Sequence, residues 1–207
     1  MAEPLGLQAR KKLAAMHRIQ NAALDLFDEH GFEAVTVEAV AEAAESSPRT
    51  VYRYFGTKEM LVIWDEEDEP AISPIAEQLT GDDPIGTVRR AMRAGIAALD
   101  EDGLRRMRRR MRLVYSSPAV ETAFLRHASR KSHSIASAMA RARGDDLEAQ
   151  VFVHALVGGL LGAMRHWYLS GSTEPPTEVV DQALAVLERG PSAPETTKPH
   201  RKRANHR

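Results

Sequence analysis

The stretch 36–61, TVEAVAEAAESSPRTVYRYFGTKEML, limits the fold more than any other part of this chain. It reads as two short helices joined by a tight turn, followed by the start of a third. Val37, Val40, Ala41 and Ala44 recur at helical spacing behind Thr36, whose hydroxyl suits an N-cap. Ser47 is placed to cap a second helix with Pro48 at its first position, where a missing N–H costs nothing. That helix, 48–55, is about two turns long. Val51 and Phe55 fall four apart and face a core, which leaves Arg49, Thr50, Tyr52, Arg53 and Tyr54 largely outside. A short helix showing arginines, a hydroxyl and two tyrosines suits a DNA major groove. Arginine reads guanine edges in bidentate fashion, and hydroxyls and phenols bond phosphates.

Thr36, then Pro48-x-Thr50-Val51-Tyr52-x-Tyr54-Phe55, then Thr57-Lys58-Glu59-x-Leu61 together resemble the helix-turn-helix signature of the TetR family of bacterial transcriptional regulators. The likeness covers roughly residues 10–64. It implies DNA contacts from Arg10, Thr36, Ser47, Arg49, Thr50, Tyr52, Arg53, Tyr54 and Lys58. One position departs from the pattern. Family members usually carry Gly-Val in the turn where this chain has Glu45-Ser46. Glycine tolerates positive φ, so glutamate there must accept strain or a slightly different turn.

The chain has 207 residues, 43% of them hydrophobic, enough for one large or two small domains with a real core. Its net charge of −1 excludes a chain-wide basic character, so DNA binding must rest on local patches. Residues 1–64 are themselves slightly acidic, but their cations cluster at Arg10, Lys11, Lys12 and Arg18, then at Arg49, Arg53 and Lys58. Position rather than sum carries the electrostatic argument. Arg10 to Lys12 read either as an ordinary solvated helix start or as phosphate contacts. Lys58 reads either as a solvated lysine or as a cation tolerated at a helix N-terminus because a phosphate lies opposite. The absence of cysteine excludes disulfides and thiolate zinc sites and fits a reducing cytoplasm, the expected location. No apolar run reads as a membrane span, and the N-terminus lacks a signal peptide's apolar centre. The run 65–69, DEEDE, offers oxygen ligands for a hard cation but lacks EF-hand spacing, so it reads as a solvated face. Neither a metal nor a cofactor is expected.

In order, the expected elements are a loose arm at 1–8 and a first helix at 9–30 ending at Gly31. The helix-turn-helix follows, then a fourth helix from Thr57 to about Trp64. An acidic, proline-containing boundary covers 65–83. Further helices are expected over 84–99, from about 104, over 118–143 behind Ser117-Pro118, over 147–170 and over 177–188. Residues 100–143 hold eleven basic and four acidic side chains. They read either as a solvated surface balanced by the acidic boundary or as a surface for an anionic ligand. The helix over 147–170 is apolar nearly all round and needs partners on more than one side. Gly158 and Gly162 on it would admit another helix, and with Leu184 on the next helix they are the candidate dimer contacts. The TetR resemblance places dimerisation there too. The same helix also reads simply as the domain's central one. Residues 191–207 are Pro/Thr-rich, then basic, and are expected to be disordered; they either add sequence-independent DNA affinity or sit idle.

The expected architecture is all-α, about nine helices: an N-terminal three-helix helix-turn-helix domain over 1–64 and a C-terminal helical ligand-binding and dimerisation domain over 65–190. Met92, Ile96, Met111, Tyr115, Phe124, Met139, Phe152 and Trp167 are candidate pocket residues, because methionines adapt and aromatics stack. Each also reads as plain core. The stretch 111–118 resembles the subgroup that includes the mycofactocin-system regulator, which implies an acyl-CoA-like effector. The expected function is therefore a ligand-responsive, homodimeric repressor of a palindromic double-stranded operator. The rivals are a ligand-independent architectural DNA-binding protein and a small helical enzyme. Against the enzyme stands the lack of a phosphate loop, a nucleophile elbow or a carboxylate–histidine pair on one helix.

Overall fold

A computed structural model describes residues 6–64 and 76–190, and among these every regular element is a helix. In chain order they are α1 (Leu7–His30), α2 (Val37–Ala43), α3 (Pro48–Phe55), α4 (Met60–Ile63), α5 (Pro84–Ala97), α6 (Glu101–Ser116), α7 (Pro118–Arg143), α8 (Asp146–Leu169) and α9 (Pro176–Arg189). The acidic run 65–69, the arm at 1–5 and the basic tail lie outside the described residues.

Side-chain caps set most helix starts. Thr36, Ser47, Asp83, Asp100, Ser117 and Asp145 each accept the backbone N–H three residues on. A cap of this kind stabilises its helix by about 1 kcal/mol. The α4 expectation needs correction. Lys58 and Glu59 precede α4, which is a single turn ending where Trp64 turns extended at ψ 134°.

Two apolar clusters fill the interior. The first joins α1–α4 to Met111, Leu113 and Val114 of α6, Val120 of α7, Trp167 of α8 and Val179 of α9. The second collects Ala76, Leu79, the C-terminal half of α7, the N-terminal half of α8 and Val180 and Leu184 of α9, with α5 packed against it. Helices α1–α4 thus share a core with the second half of the chain.

By length and composition α8 is apolar enough to cross a membrane, which corrects the reading that no run qualifies. In this fold it packs between α7 and α9. Its Leu147, Val151 and Leu169 remain exposed.

The turn between α2 and α3 carries the expected strain. Glu45 sits at φ 48°, in the left-handed region, while Ser46 N–H reaches back to the Ala41 carbonyl at 2.8 Å. A side chain there costs about 1–2 kcal/mol, and glycine's extra freedom in the unfolded chain offsets about 0.5–1 kcal/mol of that. Glu45→Gly is therefore expected to raise the melting temperature by about 1–3 °C in a calorimetric scan. A lower melting temperature would contradict the strain.

Candidate nucleic-acid interface

The expected recognition element is α3. Val51 and Phe55 are buried beneath it, and Arg49, Tyr52 and Arg53 are exposed. Ser47 Oγ accepts the Thr50 N–H at 3.1 Å and lies 2.9 Å from Thr50 Oγ1. Thr36 Oγ1 accepts the Ala39 N–H at 3.2 Å. Both caps bring helix N-termini, with their partial positive charge, beside the exposed face of the turn. The cap on Thr36 leaves its own O–H free to donate to a phosphate.

Tyr54 is half-buried and held from two sides. The Arg53 guanidinium lies 4.9 Å from its ring centroid and donates to its hydroxyl at 3.3 Å, and Lys12 Nζ lies 6.0 Å from the same ring. Lys12 thereby brings the start of α1 to the recognition helix, a pairing that spacing along the chain does not show. Arg10 is exposed on the first turn of α1. Arg18 donates to the Ala44 carbonyl at 3.0 Å and holds the strained turn against α1.

Lys58 turns inward. Its Nζ lies 4.3 Å from the Phe32 ring centroid and reaches the Glu33 carbonyl at 3.4 Å. Of the two sequence readings, neither foresaw this brace between the α3–α4 and α1–α2 loops. A phosphate contact would require Lys58 to share its ammonium with that brace.

The candidate pocket residues fall into two groups. Met111, Tyr115, Phe124 and Trp167 belong to the first cluster, and Met92, Ile96, Met139 and Phe152 to the second. Met111, Met139 and Trp167 are fully packed core. Tyr115 stacks on Tyr168 at 5.2 Å and lies 5.7 Å from the Arg165 guanidinium, and burial raises its phenol above the ordinary value. The basic α6 also departs from both of its readings. Arg109 and Arg112 pair with Asp25 and Asp28 of α1, Arg110 donates to the Val62 and Ile63 carbonyls of α4, and Arg105 pairs with Asp102. Four of its arginines are thus engaged within the protein.

The dimer candidates divide as well. Gly158 and Gly162 are exposed, with open space where a Cβ would stand, so no helix among the described residues covers them. Val151, Ala155, Gly158 and Gly162 form one exposed stripe at helical spacing. Beside it runs a groove of about 280 Å³ between α8 and α9, lined by Gly162, Ala163, His166, Gln182, Ala183 and Val186. Leu184, by contrast, is 0% exposed in the second cluster, which corrects its assignment to an interface. The glycine that admits α9 is Gly159, where an added Cβ would stand 2.9 Å from Leu187.

Comparison with known proteins agrees with this geometry. Residues 19–63 match the family model for bacterial regulatory proteins of the tetR family, and residues 82–192 match the MftR C-terminal domain. The HTH-type transcriptional regulator TcmR of Streptomyces glaucescens is 30% identical over 82% of this chain and 80% of its own. The putative mycofactocin biosynthesis transcriptional regulator MftR of Mycobacterium tuberculosis is 28% identical over 87% of this chain and 93% of its own. Among solved structures, Thermus thermophilus FadR in complex with lauroyl-CoA aligns with a TM-score of 0.53 at 20% identity, covering 89% of this chain and 99% of that one. This last likeness concerns the fold.

Gly162→Leu is expected to leave the helical content intact, because an added Cβ there meets none of the described residues within 4 Å, and to sediment as a monomer where wild type sediments as a dimer if this stripe faces the second copy. Leu184→Glu is expected to lose more than about 4 kcal/mol of stability, since it buries a carboxylate. A folded, monomeric Leu184→Glu would overturn this division of roles.

Proposed function

Because this chain belongs to the TetR family, and is thus a DNA-binding transcriptional regulator, we propose that it represses from a near-palindromic operator as a cytoplasmic homodimer and is released by a small apolar or acyl-CoA-like effector. Residues 1–64 would read DNA, and residues 65–190 would bind the effector and dimerise. The observation that carries the DNA reading is α3 itself, with Val51 and Phe55 sunk in the core and Arg49, Tyr52 and Arg53 on the outside. Two such helices must reach successive grooves, about 34–36 Å apart or at a related spacing, which calls for a dimer. The open Gly158–Gly162 stripe supports α8 as the place where the second copy docks.

The lauroyl-CoA bound by Thermus thermophilus FadR, a protein of the same fold, supports the effector class. Met92, Ile96, Tyr115, Phe124 and Phe152 are only partly buried, so they can contact a ligand without dismantling the core. With most of the α6 arginines engaged, an anionic head group would fall to its exposed Arg106 and Arg108.

Gel shifts on DNA from upstream of the gene test the first half. Tyr52→Ala is expected to weaken operator binding by about 1–2 kcal/mol with no change in melting temperature, because Tyr52 is 49% exposed. Wild-type affinity in that variant would remove Tyr52 from the interface. Sequence-blind coating of DNA would favour the architectural reading. Long-chain acyl-CoAs titrated with and without operator test the second half, with tryptophan fluorescence as readout. Effector and DNA are expected to weaken each other by the same factor, about 5- to 150-fold. Effector binding that leaves DNA affinity unchanged would refute the switch.

A further inference from the structure

The geometry points to an ionic latch between α6 and α1 that orients the DNA-reading helices, with Arg109 and Arg112 as positioning residues for operator binding. Asp25 and Asp28 lie one helical turn apart on α1, and Arg109 and Arg112 lie one turn apart on α6. Arg109 spans both carboxylates, Nη2 to Asp25 Oδ1 at 2.7 Å and Nε to Asp28 Oδ2, while Arg112 takes the other oxygen of Asp28. A guanidinium fork suits this bridging and an ammonium does not. Arg109 and Asp28 are only 23% and 26% exposed, so solvent and salt screen them less than an ordinary surface pair.

The neighbouring Arg110 grips the end of α4 from the same turn of α6. The Arg110 contact places the end of α4, and the latch adds a second polar attachment near the C-terminal end of α1. The apolar cluster already holds the two halves together, so the ion pairs are not what keeps them joined. The latch therefore sets orientation, and a shift of α6 reaches α1 directly as well as through α4. This rests on the operator-binding reading for its consequence, but not for its geometry.

The chain has no cysteine, so two can be introduced cleanly at the exposed positions Glu42 and Ser129. Spin labels on Glu42→Cys and Ser129→Cys, diluted into unlabelled protein, report the distance from α2 to α7 within one chain. Arg109→Gln and Asp28→Asn are expected to broaden that distance distribution about twofold and to weaken operator binding about three- to tenfold. The double variant should be no worse than either single, since both break one device. Arg109→Lys should fail to rescue the width. Asp25→Asn, at a largely exposed carboxylate that cannot threaten folding, should broaden it less. Unchanged widths in Arg109→Gln and Asp25→Asn, or additive effects in the double variant, would overturn the latch. Broadened widths in a protein whose wild type binds no operator would uphold the latch and refute the operator reading.

Discussion

The structure depends on how the end of α4 is received. Leu61, Val62 and Ile63 are buried there, and the last carbonyls of a helix have no partner within it. Arg110 supplies one, donating Nε–H to the Val62 carbonyl at 2.8 Å and Nη2–H to the Ile63 carbonyl at 2.6 Å. Gln20 of α1 does the same for the Trp64 carbonyl at 2.9 Å. Leaving a buried acceptor unmet costs about 1–3 kcal/mol, so the two Arg110 contacts help place α1–α4 on the second half of the chain. Met111 and Val114, on the same helix as Arg110, carry the apolar cluster across the join.

That join gives an effector a route to DNA. α6 meets α4 through Arg110 and α1 through Arg109 and Arg112, and the α6–α7 junction meets the α1–α2 loop where Ser117 donates to Glu33 at 3.2 Å. Trp64 lies edge-on to Phe55 of the recognition helix at 5.8 Å and to His17 of α1 at 5.4 Å. Packed rings rather than a flexible linker thus lie between the α6-bound end of α4 and the back of α3. Differential affinity of an effector for two α6 positions is all that such a switch requires.

Local signals in the sequence read true where local chemistry decides. Ser47-Pro48 marked the start of α3, Val51 and Phe55 its buried side, and Glu45 the strained turn. The TetR-like spacing around them made the fold legible from about a quarter of the chain. What escaped were choices made by distant neighbours. Periodicity identified the apolar side of α9 but could not say that Leu184 faces its own core. The arginines of α6 announced a charge, not the aspartates 84 positions earlier that would answer it. Lys58 looked outward because nothing near it in sequence shows Phe32 beneath its ammonium. The eight pocket candidates were chosen by residue type, which cannot tell a shared cavity from two separate cores.

The central claim is that the DNA-reading helices and the effector domain share one apolar core, so that one can bias the other. Differential scanning calorimetry of the full-length protein tests it most directly. A shared core predicts a single heat-absorption peak for the whole chain. A separate, lower-temperature transition of the DNA-reading unit, with the rest of the chain still folded, would contradict it.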